Sequence, residues 1–266
     1  MRQRAFGPTG VPVPVIGQGT WTSERTRESS VAALRRGIDL GMTHIDTAEM
    51  YGRGAAEEVV AEAVGGRRDE VFIVSKVLAE NASRAATIEA CHRSLRHLHT
   101  DYLDCYLLHW PSRHPFEETL AGFHALVEEG SIWAFGVSNF GAEGLDHAVA
   151  LAGPGAIACN QVQYHLSDRA PERDLIARCE AHAVALVAYS PFGQGSFPRR
   201  SPVLESIAAG HGATPRQVAL AFLLRQPDSF VIPKASSIDH AEENAAAGDL
   251  VLTAEEIAAI DEAFPA

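Results

Sequence analysis

Short apolar runs and amphipathic helical stretches take turns along this chain, and that alternation narrows the available folds more than any other feature. The strand-like runs are Ile16–Thr20, His44–Asp46, Val71–Lys76, Leu103–His109, Ala134–Ser138, Ala156–Gln161, Ala185–Ser190 and Phe230–Lys234. Between them, apolar residues recur at the helical 3.6-residue spacing. The helices so predicted are Glu28–Leu40, Ala55–Val64, Arg84–Leu98, Phe116–Glu129, Ala142–Leu151, Ala170–Ala183, Pro202–Ala209, Pro215–Arg225, Asp239–Ala247 and Ala254–Phe264. Gly65-Gly66 and Gly130 stop two of them, and Thr214-Pro215 opens another with a cap and a first-turn proline. Eight strand–helix units in about 250 residues match an α/β (β/α)8 TIM barrel. The rival is a doubly wound open sheet, which would carry G-x-G-x-x-G after its first strand; none stands there. Ahead of the barrel, Gln3–Phe6 and Val11–Val15 flank Gly7-Pro8-Thr9-Gly10 and read as an N-terminal β-hairpin. One domain spanning 1–266 is expected.

Composition trims the list of functions. The formal charge of −12 speaks against nucleic-acid binding, which needs clustered Lys and Arg. No run of about 18 apolar residues exists to span a membrane. Met1-Arg2-Gln3-Arg4-Ala5-Phe6 lacks the apolar core of a secretory leader. Cys91, Cys105, Cys159 and Cys179 are widely spaced with no CxxC pair, as buried small hydrophobes in a reducing compartment would be. The expectation is a cytoplasmic monomer without a metal site.

In a barrel of this kind, chemistry belongs at the C-terminal ends of the strands. Those ends carry Thr20 and Trp21, Asp46, Lys76, His109 and Trp110, Ser138 and Asn139, Gln161, Tyr189 and Ser190, and Lys234. Tyr51 follows Asp46 in a polar turn ending on Gly52. A phenol, with an ordinary pKa of about 10, is a poor acid at neutral pH. A neighbouring ammonium makes it a usable one by favouring the phenolate. Lys76 is placed to do this and lower the Tyr51 pKa, with Asp46 holding Lys76 charged and His109 free to bond a substrate oxygen. Such a set faces a carbonyl that gains negative charge. Neither a nucleophile beside a base nor a metal cluster accompanies it, so hydride transfer from a nicotinamide or flavin is the matching chemistry.

The same residues resemble an aldo-keto reductase. The matching pieces are Gly19-Thr20-Trp21, Asp46-Thr47-Ala48-Glu49-Met50-Tyr51-Gly52, Lys76, Leu107-Leu108-His109-Trp110-Pro111, Gly136-Val137-Ser138-Asn139-Phe140, Cys159-Asn160-Gln161-Val162, Ala188-Tyr189-Ser190-Pro191 and Ile232-Pro233-Lys234. They stand in the family's order across nearly the whole chain. The resemblance implies reduction of small aldehydes, ketoaldehydes or diketo sugar acids, with Tyr51 as general acid and Asp46, Lys76 and His109 as partners. It implies NADPH as cofactor, with NADH the second option. Cofactor contacts then fall on Gly19, Thr20, Ser138, Asn139, Gln161, Tyr189, Ser190, Lys234, Ser236, Ser237, His240, Glu243 and Asn244. His240 stands where many members carry an arginine for the 2′-phosphate. Trp21, Met50, His109 and Trp110 would wall the substrate pocket, which the short Trp110–Phe116 connection and the early chain end leave open and permissive.

Two other functions compete. One is a barrel lyase or aldolase using Lys76 or Lys234 as a Schiff-base amine; Asp46 argues against it, because that amine must be neutral. The other is a non-catalytic nucleotide-binding, redox-sensing module on the same barrel; the intact tetrad argues against that one.

Overall fold

The computed structural model describes residues 1–198 and 200–266. Its main sheet has eight parallel strands in chain order: β3 (Gln18–Gly19), β4 (His44–Asp46), β5 (Phe72–Val77), β6 (Leu103–Leu108), β7 (Ile132–Ser138), β8 (Ile157–Gln163), β9 (Ala185–Tyr189) and β10 (Ser229–Ile232). The last strand returns to the first. Gly17 N–H donates to Val231 O at 2.8 Å, and Val231 N–H donates to Val15 O at 2.9 Å. The sheet therefore closes into the expected (β/α)8 barrel. The helices α1 (Arg27–Asp39), α2 (Ala55–Val64), α3 (Arg84–Leu98), α4 (Phe116–Glu129), α5 (Ala142–Ala152), α6 (Leu175–Ala181), α7 (Pro202–His211), α8 (Pro215–Leu223), α9 (Ile238–Ala246) and α10 (Ala254–Ala263) follow the strands.

The hairpin is present, with β1 (Gln3–Ala5) antiparallel to β2 (Pro12–Pro14). It plugs the barrel end opposite the strand C-termini. Phe6 packs among Phe72, Phe230 and His44, at centroid distances of 4.9, 5.2 and 5.6 Å. Gly7 is required there: its φ is +54°, and a Cβ would meet Ala158 O at 2.1 Å.

Two apolar layers result. Phe72, Val74, Cys105, Leu107, Cys159, Val187 and Ile232 fill the interior, while Ile45, Ile73, Val77, Tyr106 and Leu108 face the helices. Strand alternation turns Asp46 and Lys76 inward with the first set. All four cysteines are free and buried. Among the described residues, no helix is long and apolar enough to cross a membrane.

Several boundaries differ from the sequence reading. The stretch expected as one helix over Ala170–Ala183 is a 3-10 turn at Ala170–Glu172 followed by α6. Asp174, at φ −153°, breaks it. The last strand stops at Ile232, so Lys234 stands in the following loop; Pro233 has no N–H to continue the ladder. β7 starts two residues earlier than expected, because Ile132 already pairs with Leu103.

Candidate active site

Asp46 ends β4, and Lys76 lies one residue from the end of the neighbouring strand β5. Both side chains are sealed from water. Lys76 Nζ donates to Asp46 Oδ1 at 2.6 Å and to Thr47 O at 2.8 Å. The second carboxylate oxygen, Oδ2, accepts from Gln161 Nε2 at 2.7 Å. Asp46 thus accepts on both oxygens, as an ionised carboxylate does. Burial opposes the Lys76 charge, but Asp46, aided by Tyr51, holds the ammonium above its ordinary value. An amine held this way is not the neutral nucleophile that Schiff-base chemistry needs.

Tyr51 opens the turn that joins β4 to α2. Its ring lies 5.3 Å from Lys76 Nζ and makes an edge contact with the His109 ring at 5.9 Å. Lys76 acts on the phenol in the expected direction, but the net shift is opposite to the one expected. Burial raises the phenol's pKa, and the Asp46 charge adds to it; the Lys76 ammonium pulls the other way without prevailing. Tyr51 therefore holds its proton at and above neutral pH.

His109, just past β6, is stacked on Trp110 with centroids 3.9 Å apart. Burial, then the Lys76 charge, depresses its pKa to about 2, so the ring is neutral. Its Nδ1 is buried without a partner among the described residues, which leaves Nε2 as the nitrogen toward the cavity that His109 lines. Asn139, at φ +62°, donates from Nδ2 to His109 O at 2.9 Å and accepts from Tyr189 OH at 2.9 Å. Ser138 Oγ donates to Gln161 O at 2.8 Å. These bonds lock the rim of β6–β9 as one frame.

The frame surrounds a cavity of about 270 Å³. Gly19, Thr20, Trp21, Asp46, Met50, Tyr51, His109, Trp110, Asn139, Gln161, Tyr189, Ser190 and Lys234 all line it, with Gln194 and Ile232. Trp21, Met50 and Trp110 are each more than a third exposed, and they form its outer lip. A second hollow of about 620 Å³ adjoins it, sharing Trp21, Ser190, Gln194 and Lys234. Its far wall carries Thr214, Pro215, Arg216 and Glu243. Glu243 accepts from Thr214 Oγ1 at 2.7 Å, and Lys234 Nζ donates to Ser236 Oγ at 2.6 Å. Burial lowers the pKa of Lys234. Ser237 caps α9 by accepting from His240 N–H.

The residues expected in the site thus divide. Lys76 and Ser138 do not line the cavity themselves; they are bonded to Asp46 and Gln161, which do. Ser236, Ser237 and His240 lie beyond Lys234 at the start of α9 and line neither hollow, and Asn244 is buried within α9. Sequence reasoning missed Gln194, Phe192, Phe197 and Arg216. Arg216 lies over the Phe192 and Phe197 rings at 4.8 and 5.5 Å. Its place directly after Thr214-Pro215, at a helix start, is the one signal that pointed to it.

A fold and rim of this kind define a class, and known proteins fall into it. The Aldo/keto reductase family pattern matches residues 15–264. The chain is 43% identical to methylglyoxal reductase YeaE of Escherichia coli (strain K12), over all of this chain and 96% of that protein. It is 34% identical to methylglyoxal reductase DkgB of Escherichia coli O157:H7, over 94% of this chain and 93% of that one. The crystal structure of an aldo/keto reductase from Klebsiella pneumoniae in complex with NADP and acetate superposes with a TM-score of 0.94 at 44% identity, covering 100% of this chain and 96% of the other. The chain belongs to the aldo/keto reductase family, and is an oxidoreductase acting on carbonyl groups.

Proposed function

We propose that this protein reduces small, reactive aldehydes and ketoaldehydes to alcohols with NADPH, using Tyr51 as the proton donor. The carrying observation is the convergence of Tyr51, His109 and Asp46 on one cavity of about 270 Å³, with Lys76 bonded to Asp46 and 5.3 Å from the Tyr51 ring.

The residues present fit a nicotinamide dinucleotide. The two adjoining hollows form one trough. An aromatic face, Tyr189, stands at the catalytic end; a cation, Lys234, stands in the middle; and the carboxylate of Glu243, with the N-terminus of α8, stands at the far end. Helix N-termini and lysines favour phosphate groups. Gly19 lets the first strand approach the last closely at the cavity, since a Cβ there would meet Ile232 O at 2.8 Å. When bound, the reduced cofactor supplies a hydride to the carbonyl carbon.

The chain's own residues do the rest. The substrate oxygen is received between Tyr51 and His109. His109, neutral and carrying its proton on Nε2, donates a hydrogen bond that orients the carbonyl. As charge gathers on that oxygen, the Tyr51 O–H bond breaks and its proton passes to the forming alkoxide. Lys76 stabilises the phenolate left behind, and Asp46 keeps Lys76 charged and aimed. Trp21, Met50 and Trp110 shed water from the carbonyl and set a shallow lip that admits small substrates. The likeness to two methylglyoxal reductases supports ketoaldehydes as substrates.

Initial rates on methylglyoxal, a simple aldehyde, a diketone and a keto sugar acid, each with NADPH and NADH, test this reading. Turnover favouring methylglyoxal and NADPH is expected. Cofactor binding with no turnover on any of the four would favour the non-catalytic alternative.

A further inference from the structure

On the outer side of β5, behind Lys76, lies a second buried polar cluster that the reaction above does not use. Glu57 of α2 reaches inward, and its Oε1 accepts from Ser75 Oγ at 2.7 Å. Ser75 precedes Lys76 and pairs in register with Tyr106. Glu57, Ser75, Ser94 and Tyr106 are all sealed from solvent. Glu57 Oε2, Ser94 Oγ and Tyr106 OH have no hydrogen-bond partner among the described residues. Packing alone would be met by a leucine here, and a buried carboxyl is costly without a role.

Connectivity suggests the role. Tyr51 is joined to α2 by a turn in which Gly52, Arg53 and Gly54 all take positive φ, at 57°, 56° and 95°. Three left-handed residues in a row are not a self-stabilising segment. Gly54 is also pressed against α3, where a Cβ would meet His97 Nε2 at 2.8 Å. The place of Tyr51 therefore depends on how α2 docks on the barrel. Glu57, in the first turn of α2, is bonded to the residue next to Lys76.

We propose that Glu57 is a positioning residue for the reduction: its bond to Ser75 sets how far the Tyr51 phenol stands from the Lys76 ammonium. This rests on Tyr51 being the proton donor. The tie needs only an acceptor oxygen: Glu57 Oε1 receives the Ser75 hydroxyl. No cation is bonded to Glu57 among the described residues. Arg93 of α3 is spent on Glu49, which faces the cluster from the Tyr51 turn, and His97 pairs with Glu58. Cys91 and Tyr106 complete the surroundings, and burial raises the Glu57 pKa against the pull of its hydrogen bond from Ser75. Glutamine keeps an acceptor oxygen for Ser75, whereas leucine cuts the tie.

The test compares Glu57→Gln, Glu57→Leu and Ser75→Ala in the full-length protein. Glu57→Gln should keep kcat for a small aldehyde within about 3-fold. Glu57→Leu and Ser75→Ala should lower kcat about 10-fold or more, since ångström-scale misplacement is that expensive, while NADPH affinity by fluorescence stays within about 2-fold. If Glu57→Leu does not fold, Ser75→Ala carries the same comparison with little change in volume. A second readout needs no turnover: ionisation of the Tyr51 phenol, taken as the ultraviolet difference from a matched Tyr51→Phe protein. It should move to higher pH in Ser75→Ala and stay put in Glu57→Gln. A wild type that reduces no carbonyl, with the phenol shift still present in Ser75→Ala, would count against the reductase reading and for the tie. Wild-type kcat and phenol titration in Ser75→Ala would overturn the proposal, as would Glu57→Gln being as impaired as Glu57→Leu.

Discussion

The Lys76 ammonium lies 2.6 Å from the Asp46 carboxylate in a place neither shares with water. Removing one member of such a pair strands the other as an uncompensated buried charge. Asp46→Asn should therefore destabilise the fold by about 3–5 kcal/mol, read from urea unfolding. The double variant Asp46→Leu/Lys76→Met should recover most of that loss while remaining inactive. A double variant no more stable than Asp46→Asn would contradict this reading of the pair.

His44 makes stability depend on acid. It sits among Phe6, Phe72 and Phe230 with neither ring nitrogen partnered among the described residues, and burial depresses its pKa to about 3. The unfolded chain takes up a proton near pH 6.5 that the folded one refuses. The folded state is thus favoured fully above that value and loses ground as pH falls toward 3, by about 1.4 kcal/mol per pH unit. His44→Leu should remove roughly that slope between pH 6 and 4. An unchanged slope in urea titrations at several pH values would show that His44 is charged or exposed.

The reaction itself should be insensitive to pH over a wide range. His109 is already neutral, with a pKa of about 2, and Tyr51 holds its proton above the ordinary phenol value. At saturating NADPH, kcat for reduction should stay flat between about pH 5 and pH 9. A step near pH 6.5 would mean that His109 titrates in the working enzyme.

Lys234 is a cation that lines both hollows of the trough. Lys234→Ala should weaken NADPH binding about 10-fold, and NADH binding less, with the difference shrinking as salt screens the contact. His240→Arg should tighten NADPH selectively. Equal losses for both cofactors would place the 2′-phosphate elsewhere.

The Tyr51 end of the cavity was readable because each of Asp46, Lys76 and His109 is a polar group ending or interrupting an apolar strand, where a bland residue was due. Counting strands then put them on one rim. The sign of the Tyr51 shift was not readable, because it depends on how deeply the phenol is buried, a property of the closed barrel. The outer trough was less legible for another reason. Phe192 and Phe197 come from a loop with no period to follow, and their partner Arg216 is brought over them only by folding. Glu57 was hidden among its neighbours: in Ala55-Ala56-Glu57-Glu58 both acids look like helix surface, and only the rotation of α2 sends one to Ser75 and leaves the other in solvent.

The most direct test of the account is Tyr51→Phe, which deletes one oxygen at the cavity and nothing else. Turnover of methylglyoxal should fall roughly 100- to 10,000-fold while NADPH binding, followed by fluorescence, stays near wild type. A Tyr51→Phe protein that reduces methylglyoxal at the wild-type rate would show that the proton comes from another group.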